Sequence, residues 1–204
     1  TAIGYSALSS EVSGFRNTAV GSGAGANQNG GTNNALLGYN AGSDITTGDA
    51  NTFIGSDCGD ATTTASNNTA VGQNAMGANT TGYDNVAVGR NSLDANVGGH
   101  SNTAVGESSL TSNTEGDRNI AIGQNAMAVN TTGSENIAVG ANAGDANTTG
   151  NNNVFVGRDA GTGNTTAGNN TFVGERAGAA NTTGDESVAV GQFAYSANTT
   201  GVDN

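Results

Sequence analysis

The chain has 204 residues, of which 34 are glycine and none is proline or tryptophan, and only 4% are aromatic. Seventeen carboxylates oppose five basic side chains, all of them arginine, which gives a formal net charge of −12. This charge excludes the basic surface that binding to a nucleic acid or an anionic lipid headgroup requires. No apolar run approaches the ~20 residues of a membrane-spanning helix, so we expect neither a nucleic-acid partner nor membrane insertion.

The composition would be typical of a disordered chain if its apolar residues did not recur at a fixed spacing. Glycine stands at residue 4 and at every seventeenth residue up to Gly191, so twelve repeats of 17 residues account for all 204 residues. Such arrays fold by stacking one small unit, here called a coil, on the next. We therefore expect a single β-solenoid domain over residues 1–204. Because the chain begins and ends on a repeat boundary, we also expect it to be a piece of a longer protein.

The first strand of each coil is predicted at positions 1 to 3, counted so that the recurring glycine is position 4. Position 3 is aliphatic in every coil, and position 1 is β-branched in all coils but one, where Ala35 stands. Positions 1 and 3 share one face of a strand, and we expect this face to point into the coil. Small residues at position 7, such as Ala75, predict a second short strand. The expected fold is therefore all-β, a parallel β-solenoid with two short strands per coil.

Turns are predicted from glycine and asparagine. Glycine at position 4 indicates a positive φ or a close approach of the backbone. The sequence N-T-T-G at positions 11 to 14, as in residues 130–133, predicts a second turn. Asparagine fills position 17 in every coil except that of Ser187, which predicts a ladder of amide hydrogen bonds between coils.

Charged side chains test this stacking independently of the apolar pattern. Four arginines have an acid 17 residues away, on the neighbouring coil: Arg90 with Glu107, Arg118 with Glu135, Arg158 with Glu175, and Arg176 with Asp159. Exposed pairs of this kind contribute only ~0.2–1 kcal/mol each, so their value is that they support the length of the coil.

Positions 2 and 8 vary together. Position 2 is alanine except in four coils, where it is bulky and position 8 is glycine; wherever position 8 is large, position 2 is alanine. The two positions therefore share one space, because overfilling a packed site is destabilising. Position 2 points away from the predicted interior but is never polar, so we expect position 8 of a second copy of the chain to cover it. A contact within the chain is the alternative. The predicted interface between subunits consists of Leu36, Phe53, Phe155, Phe172, Leu8, Met76, Leu93, Leu110, Met127 and Tyr195.

Residues with catalytic or metal-binding chemistry are few. His100 is the only histidine and Cys58 the only cysteine. We interpret His100 as a solvated turn residue and Cys58 as a small buried side chain. With no nucleophile and base at a set spacing and no set of metal ligands, we expect neither enzymatic activity nor a metal or cofactor.

Short segments of the repeat resemble known repeats. The sequences N-T-A-V-G (Asn17–Gly21 and Asn102–Gly106), N-I-A-I-G (Asn119–Gly123) and N-I-A-V-G (Asn136–Gly140), each followed after two residues by alanine or serine, resemble the head repeats of YadA-like trimeric autotransporter adhesins. The longer form that includes N-T-T-G is similar to repeats of phage and bacterial tail-fibre-like proteins. The resemblance implies a left-handed β-roll assembled as a parallel homotrimer in an extracellular fibre, on a cell surface or a virion.

Two functions are expected from these observations. The first is a structural shaft or head segment of a trimeric fibre, a stiff spacer that presents a binding tip, with any host receptor or glycan bound through regions outside this segment. The alternative is an ice-binding β-solenoid that uses ladders of threonine. A glycan-degrading fibre enzyme is disfavoured because no carboxylate pair recurs at one position.

Overall fold

A computed structural model describes residues 1–201 as a stack of coils, each with one short strand. The strands are β1 (Ala2–Ile3), β2 (Thr18–Val20), β3 (Ala35–Leu37), β4 (Thr52–Ile54), β5 (Thr69–Val71), β6 (Val86–Val88), β7 (Thr103–Val105), β8 (Ile120–Ile122), β9 (Ile137–Val139), β10 (Val154–Val156), β11 (Thr171–Val173) and β12 (Val188–Val190). They form one parallel sheet in chain order. Each residue pairs with the residue 17 positions further on, as Ala121 pairs with Ala138. The all-β parallel β-solenoid and its 17-residue coil are thus confirmed.

The predicted second strand is wrong. In the described residues, the segment around position 7 is a turn, because the residues on either side of it have left-handed backbone conformations. In the eighth coil these residues are Asn125 (φ 55°) and Met127 (φ 50°). A β-strand requires a negative φ, so the segment cannot extend. Its backbone still joins neighbouring coils: the Leu110 N–H donates to the carbonyl of Ala126 at 3.0 Å.

The expected orientation of the strand is also wrong. The middle residue of each strand faces the interior, and the two outer residues face away from it. In β8, Ala121 is fully buried, whereas Ile120 and Ile122 are 37% and 40% exposed to solvent. Positions 1 and 3 therefore form the outside of the sheet, and position 2 lines the core.

The core contains the side chains of positions 2, 7 and 8, and the volume compensation between positions 2 and 8 occurs within one chain. The ring of Phe155 lies over both Gly144 and Gly161, where an added Cβ would come within 2.5 and 2.4 Å of ring carbons. In the eighth coil the same space is shared by Ala121 and Met127. No coil has a bulky residue at both positions. In the second and ninth coils neither is bulky, and side chains of the neighbouring coils, such as Leu36 at Gly25 and Phe155 at Gly144, fill the space.

The glycine at position 4 has the role that the sequence predicts. Its φ lies between 123° and 146° in all twelve coils, a region that side chains disfavour. The coils also approach closely at this point: a Cβ on Gly106 would lie 2.6 Å from the carbonyl oxygen of Gly123. The recurring glycine is therefore required by both conformation and space.

Three of the four predicted ion pairs join adjacent coils. Arg118 and Glu135 are 2.9 Å apart, and the pairs Arg90–Glu107 and Arg158–Glu175 are also in contact. The fourth prediction is wrong. Arg158 pairs with Asp159 at 3.0 Å, and Arg176 instead lies over the ring of Phe193, one coil later, at 5.6 Å.

We predict that the paired variation of positions 2 and 8 can be reproduced by mutation. Gly161→Ala should lower the free energy of unfolding by ~1–3 kcal/mol, because the new methyl group overlaps the Phe155 ring. The double variant Phe155→Ala with Gly161→Met, which copies Ala121 and Met127, should recover part of the loss of each single variant. Chemical denaturation in a double-mutant cycle measures this, and strictly additive effects would contradict a shared space.

Candidate interaction surface

A row of buried asparagines at position 17 fixes which side of each strand faces the interior. The Asn119 N–H donates to Oδ1 of Asn102 at 2.9 Å, and Nδ2 of Asn119 donates to the carbonyl of Gly133 at 2.8 Å. Position 17 and position 2 of the next strand are two residues apart, so they lie on the same face. The predicted asparagine ladder is confirmed, and it places position 2 inside.

A second buried ladder runs along position 11 and was missed by the sequence reasoning, which assigned this asparagine only to a turn. Nδ2 of Asn130 donates to Oδ1 of Asn113 at 2.8 Å and to the Gly133 carbonyl at 2.9 Å. The ladder consists of Asn79, Asn96, Asn113, Asn130, Asn147, Asn164 and Asn181, all fully buried. The Gly133 carbonyl thus accepts hydrogen bonds from both ladders. The unbroken recurrence of asparagine at position 11 over eight coils, from Asn79 to Asn198, was the signal available in the sequence.

The ladders change at the two ends of the chain. Position 11 holds Glu11, Gln28, Ile45 and Thr62 in the first four coils, and the buried Oγ1 of Thr62 lacks a hydrogen-bond partner. In the twelfth coil, the Tyr195 hydroxyl lies 3.1 Å from Oγ of Ser187 and donates to the Gly201 carbonyl at 3.0 Å. Serine replaces asparagine at residue 187 where the tyrosine hydroxyl enters the ladder.

The residues predicted to join subunits lie in the core of their own chain. Leu36, Phe53, Phe155, Phe172, Met76, Leu93, Leu110 and Met127 are fully buried, and Leu8 and Tyr195 are partly buried against the same core. A side chain already enclosed by its own coil has no surface left to offer a second copy. The predicted interface is therefore corrected: positions 2 and 8 pack within the chain, which was the alternative interpretation.

The opposite face of the sheet is the candidate interaction surface. We call it the outer sheet face, defined by positions 1 and 3 of every strand. Position 3 is aliphatic throughout, position 1 is threonine, valine, isoleucine or Ala35, and none of these positions is charged. Side chains such as Leu37, Ile122 and Ile137 are 45%, 40% and 37% exposed. The strands thus present a continuous apolar strip along the whole stack.

The outer sheet face is comparable with the largest apolar patch of an ordinary monomer. At ~4.8 Å between strands and ~3.3 Å per residue, the twelve strands, all of three residues except the two-residue β1, have a footprint of roughly 500 Å² that includes the inward-facing position 2. The largest apolar patch on a typical monomer measures about 300–600 Å² and is often functional. Position 5 carries an exposed tyrosine in the first and third coils, Tyr5 and Tyr39. The outer sheet face is the candidate interaction surface because its apolar side chains recur along the described stack.

Cys58 and His100 lie outside the outer sheet face. The Cys58 thiol donates to the Ala70 carbonyl at 3.3 Å, and burial raises its pKa to about 12, as expected of a structural cysteine. His100 is not simply solvated, as its sequence position suggested. Its ring stacks on Tyr83 with centroids 4.7 Å apart, and its Nε2 is 3.2 Å from Oδ2 of Asp117.

Residues 1–201 contain no detectable pocket and no cluster of three potential metal ligands. This part of the chain also contains no helix that could span a lipid bilayer. The fold and the outer sheet face together define a parallel β-solenoid with one strand per coil and an apolar external strip. No protein-family model, curated protein or solved structure matches the chain.

We predict that the position-11 ladder can be lengthened by one residue. In Thr62→Asn, the new amide oxygen can accept the Nδ2 proton of Asn79, and its NH₂ group can donate to the Ala65 carbonyl. This replaces an unpaired buried hydroxyl, so the free energy of unfolding should rise by about 1 kcal/mol. Thr64→Asn, on the exposed side of the same turn, serves as the control and should change little. Equal midpoints of urea unfolding for Thr62→Asn and the parent chain would contradict the ladder geometry.

A pH-dependent prediction follows from three half-buried carboxylates at position 9. Burial is the main cause that raises the pKa values of Asp60, Asp94 and Asp145, with Asp57 adding repulsion at Asp60. A raised pKa in the folded chain means that ionisation costs stability. Asp94→Asn should therefore stabilise the chain at neutral pH. The gain should vanish as the pH falls below the ordinary pKa of aspartate, where the parent carboxyl is neutral in both states. Thermal melts of both proteins across this pH range test the sign.

Proposed function

We propose that this chain is a structural segment, a shaft or head, of an extracellular homotrimeric fibre on a cell surface or a virion. The single observation that carries the proposal is the uncharged apolar outer sheet face, which runs without interruption along the stack. In the assembly, the outer sheet faces of three parallel copies surround a common axis. The number three and a left-handed coil come from the resemblance to adhesin head and tail-fibre repeats.

The energetics of the outer sheet face support self-association. Association would remove the exposed aliphatic side chains of positions 1 and 3 from water, which stabilises by about 25 cal/mol for each Å² of apolar accessible surface buried. The loss of translational and rotational freedom on association costs about 4–15 kcal/mol and is shared over the whole length of the strip. A parallel arrangement brings the same coil of each copy together, so aliphatic residues meet aliphatic residues at every level. The chain then serves as a stiff spacer, with no catalytic role.

Ice binding is the second candidate, and the threonine geometry supports it less well. At position 12 the hydroxyl donates to the carbonyl of the next coil, as Oγ1 of Thr131 does to Thr148 at 3.1 Å. Within this turn, the position-13 threonines, such as Thr132, are exposed in every coil that has them, whereas most position-12 threonines are partly buried. A single row of exposed hydroxyl groups offers ice a narrower binding surface than a flat array of several rows. Thermal hysteresis of the purified chain distinguishes the two functions.

We predict that a charge on the outer sheet face separates the subunits without unfolding them. The parent chain should sediment as a trimer. Ile122→Asp should sediment as a monomer that keeps the far-ultraviolet circular dichroism of the parent, because residue 122 lies outside the core. Thr132→Asp, on an exposed turn of the same coil, is the matched control and should remain trimeric. A parent chain that is monomeric and stably folded would refute the assembly.

A further inference from the structure

Asn29–Gly30 is the only asparagine–glycine step in the chain. It occupies positions 12 and 13, where most coils carry two threonines. Asn29 is exposed, and its carboxamide makes no hydrogen bond to any residue of the described part of the chain. The ladder asparagines differ in this respect: both amide atoms of Asn119 are held, its Oδ1 by the Asn136 N–H and its Nδ2 by the Gly133 carbonyl. The fold therefore restrains asparagines in its interior and leaves this one unrestrained.

The backbone N–H of Gly30 is hydrogen-bonded to a carboxylate, and the space beside its Cα is open. Gly30 has a φ of 105°, and a Cβ at this point would meet only Ser13 Oγ, at 3.4 Å. Its N–H donates to Oε1 of Glu11 at 3.2 Å, across the boundary between the first two coils. Burial raises the pKa of Glu11, but hydrogen bonds from Gly14, Gly30, Gln28 and Ser13 outweigh it and hold the pKa below its usual value. Glu11 is thus ionised at neutral pH.

We propose that Asn29 is a site of spontaneous self-modification by deamidation, with the Glu11 carboxylate as the proton acceptor. The Gly30 nitrogen attacks Cγ of Asn29 and gives its proton to Glu11. A new C–N bond closes a five-membered succinimide, the bond from Cγ to the side-chain nitrogen breaks, and the nitrogen leaves as ammonia with one further proton. Water then opens the ring at either carbonyl and yields aspartate or isoaspartate at residue 29.

The modification has a structural consequence at the first two coils. The product carries a new carboxylate next to the Glu11–Gly30 hydrogen bond, so the two negative charges repel. Isoaspartate also lengthens the main chain by one carbon atom, which is incompatible with the fixed length of the coil. We expect deamidation to loosen the contact between the first two coils and leave the rest of the stack in place.

The test is incubation of the folded chain at neutral pH, followed by peptide mass mapping. Asn29 should convert at least about tenfold faster than the exposed asparagines Asn67 and Asn169, because each of these precedes asparagine, whose Cβ crowds the attacking nitrogen. Gly30→Thr, which introduces the residue most coils have at position 13, should abolish the conversion. Glu11→Asn, which introduces the residue of the later coils at position 11, should slow it several-fold.

The outcomes separate the two parts of the proposal. An unchanged rate in a folded Glu11→Asn variant, checked also with Glu11→Gln, would assign the reaction to solvent base and overturn the role of Glu11. An Asn29 that stays unmodified while a synthetic peptide of residues 26–32 converts would overturn the site itself. The amount of ammonia released should equal the amount of modified peptide, because the proposed reaction releases one ammonia for each asparagine converted.

Discussion

The structure depends on two rows of buried amides that converge on one carbonyl per coil. The Gly133 carbonyl accepts hydrogen bonds from Asn119 and Asn130, and the same arrangement recurs at Gly99 with Asn85 and Asn96. An amide buried without its partner costs about 1–3 kcal/mol. A slip of the stack by one residue would leave every such amide unpaired at once. This explains why twelve coils keep a length of 17 residues without one insertion or deletion.

The amide rows also decide where the apolar residues go. They occupy one half of the interior, so the remaining space at position 2 accepts alanine, or a larger side chain only where position 8 is glycine. The β-branched residues of positions 1 and 3 are consequently displaced to the outside of the sheet. A coil stabilised internally by hydrogen bonds thus carries its largest aliphatic surface externally. The exposed apolar strip therefore follows from how the interior is filled.

The period, the glycine turn and three of the ion pairs could be predicted because each depends on spacing alone. The direction of the strand could not be inferred from hydrophobicity, since both faces are apolar. The decisive residue is the asparagine at position 17, which shares a face with position 2. The second strand was predicted wrongly because Leu93 and Met127 at position 8 conceal a left-handed backbone (φ 52° and 50°) that glycine marks in other coils. Asparagine at position 6, such as Asn125, is the weaker signal of the same conformation.

The buried hydrogen bonds at position 11 differ along the length of the stack. From the fifth to the eleventh coil the position-11 ladder is continuous, whereas the first four coils replace it with four different side chains. Two buried polar atoms without partners, Oε1 of Gln28 and Oγ1 of Thr62, lie in these first coils. Gln28 still makes both donations of a ladder residue, to Oε2 of Glu11 and to the Gly31 carbonyl, so the interruption is confined to Ile45 and Thr62. The position-17 ladder continues through these two coils, as the hydrogen bonds of Asn51 and Asn68 show. The stack therefore tolerates the loss of one row of amides where the other row is intact.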